Sequence, residues 1–220
     1  MENKKNTILL TVIAVATLLV AVVGATFAYF TATGGTAVSK QVNVITGTAA
    51  SSSFAIDGAI NIYADATNFA SGQPSRTGSS NGTVTFTAPK LPEGSTDTID
   101  EKDLQFCYSV SLNITGNDFV YTTEAETPEL TLDVTKDTTS VVTAMDITTK
   151  KENIQIPTEA GKTTYIHKIT ATPGQTVTEK WKTTVTLVNL DNDQNKNTGK
   201  NLAGVLQFTH VDCTTGTEIK

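Results

Sequence analysis

Chemistry in this 220-residue chain has few residues to draw on, because it holds only two His and two Cys. His167 and His210 each sit inside a stretch that alternates apolar and polar residues, and neither belongs to an H-E-x-x-H helix or accompanies a G-x-S-x-G elbow. They are read as plain strand residues, and no catalytic residue, cofactor or metal site is expected. Cys107 and Cys213 have no third cysteine to compete with them. In an oxidising compartment they would most simply pair, closing a long loop that stabilises the fold by about 4–5 kcal/mol on the chain-entropy model. Two unpaired thiols are the alternative, and a zinc site is short of ligands, since only His210 lies near Cys213. The run Asp191-Asn192-Asp193-Gln194-Asn195 spaces oxygen side chains as a calcium loop does. Lys196 stands where an EF-hand needs Gly and Leu202 where it needs a bidentate Glu, so a solvated hairpin loop is expected instead.

The elements that would position these residues are strands. Thr makes up roughly a fifth of the chain, and β-branched enrichment with only 17% charged residues favours sheets over helices. The net charge of −6 and the lack of a basic stripe exclude nonspecific nucleic-acid binding. Period-two alternation is clearest over residues 104–114, where Leu104, Phe106, Tyr108, Val110, Leu112 and Ile114 share a face. Such a strand belongs in the middle of a sandwich. Residues 54–62 read as one strand with Gly58 at a bulge, residues 64–82 as a long polar loop, and Val84 with Phe86 as the next strand. Further strands are predicted over 118–124, 129–135, 141–148, 154–156 and 165–171. Val177, Trp181, Val185 and Leu187 share a face of a long strand, with Trp181 as the largest core anchor. Its expected partner is the last strand, residues 202–213, returning beside it after the polar loop 191–201. About ten strands with turns every ~8–12 residues predict a single all-β domain, an antiparallel β-sandwich of jelly-roll or Ig-like type.

The N-terminal segment stands apart from that domain. Lys4 and Lys5 precede an uncharged stretch over residues 8–30, long enough as a helix to cross a ~30 Å hydrocarbon core. It closes on small residues, which places a signal peptidase cut between Ala28 and Tyr29, with a retained anchor as the alternative. Cleavage leaves residues 29–220 and removes Glu2, Lys4 and Lys5, so the mature charge is −6 − (+2 − 1) = −7. The chain divides into a hydrophobic helix at 1–28, a strand segment at 29–47 and the sandwich at 48–220.

The string Gly24-Ala25-Thr26-Phe27-Ala28-Tyr29-Phe30 resembles the signal-peptide end of the TasA/camelysin family of Gram-positive biofilm matrix proteins. Ala25, Thr26, Phe27, Ala28 and Phe30 match the family's pattern, whereas Thr31-Ala32 stand where the family usually continues with a small polar residue and Asp. The resemblance implies a dedicated signal peptidase and secretion to the extracellular matrix or cell surface. It also implies a structural role as a fibre subunit that assembles with copies of itself and with a sister matrix subunit. In such fibres each subunit gives its N-terminal segment as a strand to the next. Here Phe30, Val38, Val42 and Val44 would form the donor strand, freed when cleavage releases the segment from the membrane. Camelysin is described as a metal-dependent protease, yet no zinc motif here matches it, so no catalytic residue carries over. Two other functions compete with the fibre. One is a surface-anchored binding or adhesion module that keeps its helix and presents the loops 64–82 or 191–201. The other is a secreted hydrolase with an unrecognised metal site.

Overall fold

The computed structural model describes residues 48–219 apart from Ser71. The helix predicted over 8–30, the Ala28–Tyr29 cut and the donor residues Phe30, Val38, Val42 and Val44 lie outside the described residues.

The described chain is all-β, with ten strands: β1 (Ser51–Ile56), β2 (Ala59–Tyr63), β3 (Arg76–Thr87), β4 (Gln105–Asn117), β5 (Leu130–Lys136), β6 (Thr139–Asp146), β7 (Ile154–Gln155), β8 (His167–Thr170), β9 (Thr176–Leu187) and β10 (Asn201–His210). They form two antiparallel sheets. The first has the order β1-β3-β9-β5-β6, and the second β2-β10-β4-β7 with β8 also paired to β4. Alternation explains which face turns inward. Phe106, Tyr108, Val110 and Leu112 of β4 are buried, as are Leu130, Leu132 and Val134 of β5 and Trp181, Val185 and Leu187 of β9. One apolar cluster joins both sheets, and Trp181 is among its largest fully buried side chains.

Five expectations from the sequence differ from the structure. Residues 54–62 are two strands in different sheets rather than one bulged strand. Gly58, at φ 136°, takes the chain across between β1 and β2, and its carbonyl accepts the Ser80 hydroxyl at 2.7 Å. The apolar phase runs through this crossing because Phe54, Ile60 and Ile62 all pack on the same core, although Ile56 is 38% exposed.

The supposed loop over 64–82 ends early, at Arg76. From there β3 pairs with β9 along its whole length and with β1 from Gly82 onward. Its glycines had argued against a strand, but they sit where the second sheet comes close. A Cβ on Gly78 would lie 3.0 Å from Ile62 Cδ1, and one on Gly82 would lie 2.6 Å from Phe208 Cε2. Residues 118–124 form no strand. Lastly, β9 does not pair with β10: β9 lies between β3 and β5, and β10 lies between β2 and β4 of the opposite sheet. The strand predicted from Leu104 begins at Gln105, because Leu104 ends the 3-10 turn Glu101–Leu104.

Candidate functional site

Cys107 and Cys213 form a disulfide, with Cα atoms 5.2 Å apart. Cys107 points away from the core on β4, in the phase opposite Phe106 and Tyr108, yet it is only 1% exposed. The residues after β10 cover it. Val211 N–H donates to the Cys107 carbonyl at 3.0 Å, Asp212 N–H to the Thr217 carbonyl at 2.9 Å, and Ile219 N–H to the His210 carbonyl at 2.9 Å. The bridge therefore fastens a short terminal turn over the centre of the second sheet.

His167 and His210, read as strand residues, lie at the start of β8 and the end of β10. His210 stacks on Phe106 at 4.8 Å, half-buried, and burial lowers its pKa. His167 belongs to a larger cluster that the sequence reading missed. Its ring stacks on Tyr108 at 5.3 Å and meets Trp181 edge-on at 4.8 Å. Trp181 Nε1–H donates to the Tyr108 hydroxyl at 3.1 Å, and that hydroxyl donates to Glu179 Oε2. Lys136 Nζ donates to Glu179 Oε1 at 3.1 Å. Burial, and after it the Glu179 carboxylate, raises the Tyr108 phenol above the ordinary range and keeps it protonated. The cluster joins β4 of one sheet to β5 and β9 of the other by polar contacts, and β8 enters it through the ring contacts of His167. The signal for Glu179 was its phase, since it falls between Val177 and Trp181 on the inward face of β9.

A second polar group closes the sandwich where the long connections meet. The residues expected as a solvated loop at 191–201 include Gln194 at 1% exposure and Asn197 at 0%. Asn197 imitates a strand neighbour: its Oδ1 accepts Val120 N–H at 3.0 Å and its Nδ2 donates to the Val120 carbonyl at 2.8 Å. Side chains stand in for a ladder at Phe119 and Thr122 as well, whose N–H groups donate to Asn117 Oδ1 and Glu129 Oε1. Gln194 and Thr122 both bind the buried Glu129. Asn117 Nδ2 donates to the carbonyls of Ile147, Thr148 and Lys150 at 2.9–3.1 Å. The oxygens that suggested calcium serve the backbone instead. Asp191 Oδ1 accepts Gly72 N–H at 3.1 Å and Asp193 Oδ1 accepts Asn195 N–H at 3.0 Å. Among the described residues no three His, Cys, Asp or Glu side chains are grouped to hold a metal ion.

The third feature is an edge. Among the described residues β1 pairs only with β3, and β2 only with β10, and the two strands are consecutive along the chain. Their sequences, SSSFAI and AINIY, carry no charge and no Pro, and Ile56 and Tyr63 are exposed. A strand edge of that composition leaves backbone N–H and C=O groups open to another strand. The β1–β3 register continues outward to a Thr48–Lys90 bridge at the first of the described residues. No protein-family model, no curated protein and no solved structure matches this chain.

Proposed function

We propose that the protein is an exported structural subunit of an extracellular matrix or surface fibre, built by N-terminal donor-strand exchange after removal of residues 1–28. The observation that supports this reading is the uncharged edge strand β1, entered directly from the N-terminal segment. Edges of soluble proteins are usually blunted by Lys, Pro or a bulge, and β1 has none of these. A strand from a second copy would pair there through main-chain hydrogen bonds, with alternate side chains such as Val42 and Val44 supplying register. The disulfide fits an oxidising extracellular setting. Within this reading the sandwich is of the jelly-roll type, since strands β1 to β5 alternate between sheets and the last strand inserts between β2 and β4.

The experiment is negative-stain electron microscopy of three proteins at high concentration: residues 29–220, residues 48–220, and residues 29–220 carrying Ile56→Lys on the exposed edge. Filaments are expected from the first alone. Filaments from residues 48–220 would remove the N-terminal donor, and filaments from none would remove self-assembly. Residues 1–28 still attached to the native protein would favour the surface-anchored binding module.

A further inference from the structure

Glu129 is the buried carboxylate of the described chain, 0% exposed. Among the described residues no cation forms an ion pair with it. A carboxylate taken out of water without a cation is costly unless donors saturate it, and here a hydroxyl and a carboxamide do so. Its Oε1 accepts the Thr122 backbone N–H at 2.9 Å and also the Thr122 hydroxyl; its Oε2 accepts from Gln194 Nε2. The Gln194 carboxamide is held at its other atoms as well. Nε2 donates to the Val188 carbonyl at 2.9 Å, and Oε1 accepts Leu190 N–H at 2.7 Å.

These contacts place a nucleophile, a base and an acyl group around one carboxylate, with Glu129 and Gln194 buried and Thr122 half-buried. A threonine hydroxyl becomes a competent nucleophile when an adjacent base takes its proton, and an acyl oxygen facing a fixed N–H can carry developing negative charge. We propose that Thr122 and Gln194 are a self-modification site that forms an intramolecular ester, with Glu129 as general base. Glu129 accepts the proton of Thr122 Oγ1. The freed oxygen pair bonds to Gln194 Cδ, charge collects on Oε1 against Leu190 N–H, and the Cδ–Nε2 bond then breaks. Glu129 returns the proton to the departing nitrogen, which leaves as ammonia. No oxidant, reductant or metal enters the balance, and Glu129 ends as it began. The bond ties the connection between β4 and β5 to the connection between β9 and β10, which hydrogen bonds already bring together.

The test is peptide mapping of the purified full-length chain. After reduction of the disulfide, trypsin separates residues 103–136, which contain Thr122, from residues 183–196, which contain Gln194. The expected product is the two peptides joined, about 17 Da lighter than their sum by loss of ammonia, and split by hydroxylamine. Thr122→Ser keeps the joined peptide, whereas Thr122→Val and Glu129→Gln yield only free ones. Recovery of both peptides solely in free form at full mass, from the folded unsubstituted protein, would overturn the proposal. A joined peptide that survives Thr122→Val would overturn it equally. The main readout needs no variant, so a substitution that fails to fold leaves the test decisive.

Discussion

His167 shows how a residue with catalytic potential becomes structural. The Ile156 carbonyl, 3.1 Å from Nε2, can only accept, so the ring proton sits on Nε2 and Nδ1 carries a lone pair with no partner among the described residues. Protonating Nδ1 would place a charge between Tyr108 and Trp181, and burial accordingly pushes the pKa from 6.5 to about 4. The unfolded chain takes up this proton as the pH falls through about 6.5, but the native state resists it until about 4. Stability from this group is therefore complete above pH 6.5, falls as the pH drops from 6.5 to 4, and levels off below. The loss approaches about 3 kcal/mol as an upper bound. Urea titrations across that range should show the slope, and His167→Phe should flatten it; an unchanged slope would assign the acid sensitivity elsewhere.

At the scale of elements, close approach of the two sheets decides what each strand tolerates. Gly82→Ala is expected to lower stability by about 1–3 kcal/mol, because the new methyl meets the Phe208 ring at 2.6 Å in a packed interior. Gly116→Ala on β4, with open space around the new methyl, is expected to change stability by no more than about 0.5 kcal/mol. Equal urea midpoints for the two variants would contradict this account. The same pair shows what was legible in the sequence. Long apolar alternation in β4, β5 and β9 is local information, and those strands were readable because each side chain's phase follows from its own position. β3 was hidden because its first half is stabilised by ladders to β9 and by glycines that admit another sheet, neither of which leaves an apolar signal. Residues 118–124 misled in the opposite sense, since at their centre Val120 is paired at both backbone groups to the Asn197 side chain rather than to a strand.

Across the whole molecule the disulfide spans a sequence separation of 106 residues. Closing a loop of that length removes unfolded-state entropy worth about 4–5 kcal/mol, so reduction with dithiothreitol should lower the unfolding free energy by up to that amount. A reduced protein with an unchanged urea midpoint would show that β4 and the terminal turn hold without the bridge. Connectivity makes such a link useful, because consecutive strands mostly belong to opposite sheets and few contacts are local. What the chain determined by itself was the all-β class, the inward faces of its long strands and Trp181 as a core anchor, all consequences of period-two patterning. Tertiary structure alone decided that β9 and β10 part into different sheets, that Gly58 is a crossing, and that Glu129 meets Thr122 and Gln194. Strand pairing and buried polar contacts depend on which distant segments share a surface, and the pattern within a segment carries no record of its partner.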